Sequence, residues 1–354
     1  MLDKKGDIHI VQAESMKSFC IDACKKVGLS PEHAELVADH LVEADLRGVD
    51  SQGVTRFPRH IAGYQGGRMN PHPSIKVVKE SGAIAVIDGD DGIGLVVSHK
   101  AMNLAMDKAA EYGTGTVTVR RSGHYGMAAY WSMMALERDM IGFTTTNAPP
   151  KIAPWGGVTA SYGNNPISYA IPANREWPLV PDIAMSVAAM GKVQLAAMKN
   201  QALPPGWALD KNGEPTTDAQ AAIEGLFVPI GEHKGYGMAL VHDVLCGVLS
   251  GGSFSTDILK PQPGSNIPNM FSQFFMALDI SHFMPVTEFK ERIDRMVSVM
   301  KSSRLAKGQN RIYLPGEMEF ETRRQRIKEG IPYPTEVIDQ VRKLGRELNL
   351  PTDF

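Results

Sequence analysis

Apolar residues along the chain follow two rhythms. Near the N-terminus the spacing is helical: Phe19, Ala23 and Val27 recur every four residues and share one face. A second helix is predicted to open at Ser30-Pro31-Glu32. Serine suits the N-cap, and proline at the first helical position lacks only an N–H that would find no helical partner. Leu36, Val37, Leu41 and Ala44 make its apolar face, and Gly48 is suited to stop it. The loop GVDSQGVTR (48–56) then leads into a short helix over 57–66.

From Ile75 the texture turns to strand, with Ile75, Val77 and Val78 and then 83–87. Gly89, Gly92 and Gly94 read as a tight hairpin turn. Ser98 is the predicted cap of a helix running to Tyr112, with Met102, Ala105 and Ala109 on one face and Gly113 at its end. A strand over 116–119, the loop RSGHYG (121–126), a helix over 127–139 and a strand over 141–146 follow. Seven prolines between 148 and 181 predict loops and short strands. Further helices are predicted over 184–199 and, after KGYG, over the apolar stretch 236–249. Pro204-Pro205-Gly206 is a break, and DKNG (210–213) a turn. Near the C-terminus Thr287 is the predicted cap of a helix carrying Phe289, Ile293, Val297 and Met300. A charged helix covers 317–328, and a last one covers 335–348 with Val337, Val341, Leu344 and Leu348 on one stripe. Strands alternating with helices predict an α/β or α+β class.

Composition narrows the function. At 354 residues the chain has room for two or three domains. Its 37 basic and 39 acidic residues give a net charge of -2, which argues against a nucleic-acid binder held by bulk charge but allows a small anion on local cations. Cys20, Cys24 and Cys246 make no disulfide framework, and no second cysteine pair completes a zinc site. Cys20 and Cys24, four apart, read as a buried helix face. The start MLDKKGDIHI has no apolar signal core, and 236–249, interrupted by His242 and Asp243, is too short to span a bilayer. The expected compartment is the cytoplasm. Nineteen methionines need no role beyond core packing.

There is no G-x-G-x-x-G opening a helix, no phosphate-binding P-loop, no H-E-x-x-H and no G-x-S-x-G. Three segments carry candidate chemistry. His124 lies between glycines in RRSGHYG (120–126), between a strand and a helix, where α/β enzymes place their sites. Its imidazole titrates near working pH and can give or take a proton; a plain surface-loop histidine is the alternative. Arg56 in DSQGVTR (50–56) can hold a carboxylate bidentately, or be a solvated arginine at a helix start. Lys234 in GEHKGYG (231–237) precedes an apolar helix and can reach an anion, or sit exposed on a turn. His233 and His242 would make a metal site only with a carboxylate, and none is expected.

Taken together, ADLRGVDSQGVTRFP (44–58), VIDGDDGIG (86–94), RRSGHYGMAAYWS (120–132), NAPPKIAPWGG (147–157), YGNNPISYAIP (162–172), DIAMS (182–186), GKV (191–193), WALDKNGEPTTD (207–218), HKGYGMAL (233–240) and LPGE (314–317) resemble the malate/L-lactate dehydrogenase family that lacks the Rossmann fold. Sulfolactate, malate and ureidoglycolate dehydrogenases, diketogulonate reductase and piperideine-carboxylate reductases belong to it. The resemblance implies an oxidoreductase using NAD or NADP to interconvert 2-oxo and 2-hydroxy acids. It implies an α/β fold: a non-Rossmann NAD(P)-binding and substrate-cleft domain on a mixed sheet (76–287), and a mainly helical domain from 1–75 and 288–354. The implied assembly is a homodimer with the site in a cleft near the subunit interface. Residue by residue it makes His124 the general acid/base and Arg56 the substrate carboxylate's partner. It places Asn147, Asp182, Ile183, Ala184, Met185, Lys234, Gly316 and Glu317 at the cofactor. One departure stands out. Gln52 occupies a position where the family usually has histidine, in Ser51-Gln52-Gly53. Glutamine can hydrogen-bond a substrate but cannot donate a proton at neutral pH. With His124 carrying the proton, Gln52 reshapes the pocket and contacts substrate. If the missing histidine were essential, the chain would be a silent nicotinamide-binding protein. A cyclic-imine or ureidoglycolate-type dehydrogenase is the alternative within the family. A smaller departure is Pro181, which stiffens the stretch leading into Asp182.

Overall fold

Ser30 and Pro31 do what their positions predict. In the computed structural model, which describes residues 8–175, 177–198, 200–258 and 270–353, the Ser30 hydroxyl accepts the His33 N–H at 3.2 Å and Pro31 starts α2 (Pro31–Leu46). Before it come strand β1 (Ile8–Val11) and α1 (Ala13–Lys26), which buries Phe19, Cys20, Ala23 and Cys24 as one face. After it, two 3₁₀ turns at Asp50–Gln52 and Val54–Arg56 lead into α3 (Phe57–Gln65).

The main sheet has seven strands. It starts with β2 (Lys76–Ser81) and β3 (Ile84–Gly92), crosses through α4 (Gly94–Tyr112) to β4 (Thr114–Ser122), and continues after α5 (Ala128–Met134) with β5 (Met140–Thr146), β6 (Ile167–Ala170) and β7 (Asp182–Ile183). A small three-stranded sheet, β8 (Ala208–Leu209), β9 (Pro215–Thr216) and β10 (Leu226–Phe227), lies among α6 (Met190–Met198), α7 (Ala219–Glu224) and α8 (His233–Asp243). Strand β11 (Phe271–Asp279) returns to the large sheet, whose order is β2-β3-β4-β11-β5-β6-β7. Only β3 and β4 run parallel, so the sheet is mixed. The chain closes with α9 (Val286–Lys301), α10 (Glu317–Glu329), β12 (Ile331–Pro334) and α11 (Thr335–Leu348). β12 pairs antiparallel with β1, Ile8 opposite Pro334 and Val11 opposite Ile331, which joins the two ends of the chain.

Strand alternation separates two cores. Phe275 belongs to a buried cluster that runs from Met16, Leu41 and Phe57 through Ile87, Val117 and Val119 to Ile338 and Val341. Its neighbour Phe274 belongs to a second cluster with Tyr162, Met185, Phe227, Ala239 and Cys246. Successive side chains of a strand point to opposite faces, so β11 divides the two. The first cluster is continuous between the terminal helices and the sheet.

Several expectations are corrected. Gly89, Gly92 and Gly94 do not form a hairpin turn: the first two lie in β3 and the third opens α4. Ser98 is therefore buried inside α4 rather than capping it, while Gly113 does end it, in the left-handed region at φ +81°. The helix predicted over 184–199 is only α6, because the residues before it are held extended: Met185 donates to Asn164, Ser186 bridges to Pro229 and Val187 donates to Val228. The helix predicted over 127–139 is α5 plus a 3₁₀ turn at Ala135–Arg138. The apolar helix over 236–249 begins three residues earlier, at His233, and becomes a π-helical turn over Val244–Val248. Its burial is inverted. His242 and Asp243, the interruptions in the apolar run, are buried, while Leu240, Val241, Val244, Val248 and Leu249 are 45 to 56 % exposed. Strands β1, β11 and β12 were not legible from alternation, since β11 (FSQFFMALD) is buried along most of its length.

Candidate active site

His124 follows β4 at the carboxyl end of the parallel β3–β4 pair, the end where open sheets of this kind place ligands. The glycines explain how the loop gets there. A methyl group on Gly94 would stand 2.3 Å from the carbonyl oxygens of both Gly123 and His124, and one on Gly89 2.7 Å from the Arg121 oxygen. The end of β3 and the start of α4 thus pack main chain against main chain on the His124 loop, a contact no side chain permits. Gly123 donates its N–H to Gly92 at 2.9 Å, and its own oxygen accepts from the Gln273 amide at 3.0 Å.

Two histidines steady the following residues. The Gly126 N–H donates to Nδ1 of His124 at 3.2 Å, and the Met127 N–H donates to Nε2 of His40 at 3.0 Å. His40 lies fully buried, stacked on Trp131, and a methyl on Gly126 would meet its ring at 2.0 Å. The Gly126 bond has a chemical consequence. It needs a lone pair on Nδ1, so the neutral His124 ring carries its proton on Nε2. Nε2 has no hydrogen-bond partner among the described residues, which leaves it as a free donor. Burial holds the His124 imidazole well below its ordinary value of 6.5, reinforced by the charge of Arg56 and by His60, His40 and Arg59.

His60 and Arg59 come from α3, Arg56 from the turn that leads into it and His40 from α2. His60 is buried with its ring centroid 6.4 Å from that of His124. Arg56, one turn earlier, donates through Nε to the Ser51 carbonyl, and among the described residues no carboxylate lies within 4 Å of its guanidinium. Burial, with Arg59 nearby, lowers even its pKa to about 10. The loop bearing Arg56 is anchored by Asp45 of α2. Its Oδ2 accepts from the Val54 N–H at 2.9 Å and from the Tyr333 hydroxyl of β12 at 2.7 Å. Gly53 passes so close that a methyl there would lie 1.8 Å from Asp45 Oδ1. Gln52 is half-buried, and its Oε1 is buried without a donor among the described residues. A methyl on Gly191 of α6 would meet Ser51 at 3.1 Å, so the GKV segment borders the same loop.

The remaining expected site residues spread over a wider surface. Asp182 accepts the Ala129 N–H at 2.9 Å and so ties β7 to α5 beyond the His124 loop. Ile183 is exposed, Ala184 half-buried and Met185 fully buried in the second core. Asn147 is buried, and its amide is engaged by the protein itself: it donates to Ser253 and accepts from Ser272. That gives it a bracing role between the end of β5, the 253 loop and β11. Lys234 lies exposed in the first turn of α8, with no carboxylate within 4 Å among the described residues. Glu317 is buried between Lys301 at 2.6 Å and Arg311 at 2.5 Å and accepts the Leu314 N–H, so its charge is balanced internally. Gly316 backs onto Val180, two residues before Asp182. Of the two histidines that a metal site would need, His242 is held by the Asn165 carbonyl and His233 lies against Trp155.

Sequence reading missed His40, Asp45, His60 and Gln273. Only His60 had a usable signal, sitting four residues after Arg56 on a helix that was predicted.

The chain's similarities are extensive. A family model described as malate/L-lactate dehydrogenase matches residues 11–342. The malate dehydrogenase of Pyrococcus horikoshii is 40% identical over 349 residues, covering 96% of each chain. The L-sulfolactate dehydrogenase of Methanocaldococcus jannaschii is 40% identical over 341 residues, 96% of this chain and 98% of that one. The solved structure of the sulfolactate dehydrogenase from that organism superposes with a TM-score of 0.91, covering 98% of this chain and 99% of the other at 39% identity.

Proposed function

Because the chain belongs to the malate/L-lactate dehydrogenase family, and is a hydroxy acid dehydrogenase by that kinship, we propose that it interconverts a 2-oxo acid and its 2-hydroxy acid with NAD or NADP, using His124 as acid/base and Arg56 as the carboxylate's partner. The observation that carries this reading is that, among the described residues, the Nε2–H of His124 has no acceptor and the guanidinium of Arg56 near it has no carboxylate within 4 Å. A 2-oxo acid needs both: a proton for the carbonyl oxygen and a cation to fix the carboxylate next to it. The bound nicotinamide supplies the hydride. The residues present suit such a cofactor. Lys234, with no carboxylate within 4 Å among the described residues and in the N-terminal turn of an eleven-residue helix, is matched to a pyrophosphate, and Asp182 meets the chain just after the His124 loop at Ala129.

Substrate binding and proton uptake are coupled here. A carboxylate on Arg56 cancels one of the charges that keep His124 neutral, so His124 is protonated more readily once the oxo acid is bound. Gln52, with its unsatisfied oxygen, serves as a substrate contact and leaves the proton transfer to His124. Purified protein is expected to oxidise NADH or NADPH with at least one of pyruvate, oxaloacetate, sulfopyruvate, 2-oxoglutarate or a branched 2-oxo acid. A cyclic imine in the same panel tests the sibling chemistry. No turnover across the panel, with reduced cofactor still bound, would favour a silent binding protein.

The assembly proposed is a homodimer that covers the α8 face. Leu240, Val241, Val244, Val248 and Leu249 expose a continuous apolar surface of the kind monomers rarely leave open. Light scattering is expected to give twice the chain's mass. Val244→Glu with Val248→Glu is expected to lower it to the mass of one chain while the far-UV spectrum is retained.

A further inference from the structure

Gln273 is fully buried within the mixed sheet, where an amide is a rare choice. It lies near the start of β11, opposite Val119 of β4 on one side and Thr146 of β5 on the other. Its side chain makes one recorded hydrogen bond: Nε2 donates at 3.0 Å to the carbonyl of Gly123, 150 residues earlier in the chain. Among the described residues the only other donor to that carbonyl is the neighbouring Ser122 hydroxyl, at a long 3.4 Å. Oε1 of Gln273 is buried with no donor among the described residues. An unpaired buried amide oxygen is destabilising, and an aliphatic side chain would avoid it. What the aliphatic side chain would lack is a donor for Gly123.

The sheet needs that donor at this point. Phe271 faces Ser122 but Gln273 faces Val119, so β4 carries one extra residue there, and Arg121 takes a left-handed φ of +53°. Such a bulge bends a strand and ends its pairing. The β4–β11 ladder stops at the Phe271–Ser122 pair, and Gly123 is the first residue beyond it. Gln273 reaches past the end of the ladder to hold it. Phe271, on the same face of β11, sets its ring against His124 with centroids 6.0 Å apart and planes at 80°. Ser272, between them, is fixed from the other side. Its N–H donates to Oδ1 of Asn147 at 2.9 Å, and its carbonyl accepts the Asn147 N–H and the Thr146 hydroxyl, each at 3.1 Å. The centre of 271–273 is thus tied to the end of β5, while both flanks bear on the His124 loop. We propose that Gln273 is a positioning residue for proton transfer, acting through the Gly123 carbonyl to hold His124 in place, with Asn147 bracing it through Ser272. Fully buried, Gln273 itself meets neither substrate nor cofactor. The proposal rests on His124 as acid/base, but the hold on the loop can be measured without turnover.

Gln273→Met keeps the length of the side chain and removes the donor. Its kcat for 2-hydroxy acid oxidation is expected to fall about thirtyfold, with KM and the NADH dissociation constant within about threefold of the parent. Gln273→Glu makes the donor depend on pH. A carboxylic acid can donate to the Gly123 carbonyl, whereas a carboxylate only accepts. Val119, Thr146 and Gly123 carry no charge, and His124 beyond them is neutral, so burial keeps the new acid protonated at pH 6. Compared with the parent at the same pH, Gln273→Glu is expected to hold kcat within about threefold at pH 6 and to fall to the Gln273→Met level by pH 9. Hydrogen exchange over residues 121–127, read by mass spectrometry, is expected to be faster than in the parent for Gln273→Met, and for Gln273→Glu only at pH 9. If Gln273→Met does not fold, the comparison of Gln273→Glu at the two pH values stands alone. A Gln273→Met kcat close to the parent's, a loss that falls on KM or NADH binding instead, a Gln273→Glu variant impaired equally at both pH values, or unaltered exchange in the loop would overturn the proposal. Exchange altered as expected, in a protein that turns over no member of the panel, would support the hold on the loop and overturn the dehydrogenase reading instead.

Discussion

Replacing His124 with asparagine is expected to lower turnover at least about a thousandfold and to leave reduced-cofactor binding nearly unchanged, as general acid–base groups contribute on that scale. Asparagine keeps a side-chain acceptor for the Gly126 N–H, so the loop is not deprived of its 3.2 Å bond. What it lacks is a transferable proton. The pH dependence separates this role from a structural one. In the free protein the imidazole is held well below 6.5, by burial first and by Arg56 next. The fraction able to donate a proton then falls with rising pH throughout the neutral range. For reduction, kcat/KM is expected to drop about tenfold per unit from pH 6.5 to 8, since that parameter follows the free enzyme. For oxidation, where neutral imidazole is the competent form, it should be level over the same range. Fluorescence titration with NADH and NADPH checks binding in the variant. Turnover that survives in His124→Asn, or a reduction profile that stays level to pH 8, would remove His124 from the role.

Much of this site was readable from local sequence, and the reason is local. RRSGHYG and DSQGVTR each carry glycines where backbone must approach backbone, and each puts a chemically capable side chain next to them. The helices α2 and α11 followed from a cap and from periodicity for the same reason, and the class of fold from the alternation of strands and helices. What escaped depends on distant partners. Gly89, Gly92 and Gly94 look like a turn until β4 is placed beside them, because the requirement at Gly89 and Gly94 comes from residues 120–124 and that at Gly92 from Pro73. Asp45 looks like any helix carboxylate until Tyr333 arrives from the far end of the chain. The apolar run 236–249 looks like core. Only the packing of His242 and Asp243 inward turns its aliphatic residues out.

The buried ionisable groups around the site make fold stability depend on pH in two opposite directions, and two variants separate them. His60, fully enclosed and facing the charges of Arg56, Arg59 and Arg68 and the ring of His40, titrates at about 3 when folded instead of 6.5. Below 6.5 the unfolded chain binds a proton that the native chain refuses, so stability falls as pH falls. From pH 6.5 to 4.5 that one group costs about 2 kcal/mol. His40, at about 4, acts in the same direction. Asp45 does the reverse. Burial, opposed by the Val54 N–H, the Tyr333 hydroxyl and Arg326 and reinforced by Asp50, raises it to about 7. The native chain then keeps a proton that the unfolded chain has released, and stability falls as pH rises from about 4 to 7, by roughly 4 kcal/mol in all. Denaturant melts at pH 4.5, 6.5 and 8 test both. His60→Asn is expected to lose about 2 kcal/mol less than the parent between pH 6.5 and 4.5. Asp45→Asn is expected to gain about 3 kcal/mol on the parent between pH 4.5 and 8. Each substitution also carries a pH-independent cost in packing and hydrogen bonding, which drops out because only the difference across pH is compared. Profiles that run parallel to the parent would show that His60 is charged in the folded protein, or that Asp45 is ionised there. The second result would mean that the anchor of the Arg56 loop is a carboxylate with a cation partner rather than a neutral acid shared between α2 and β12.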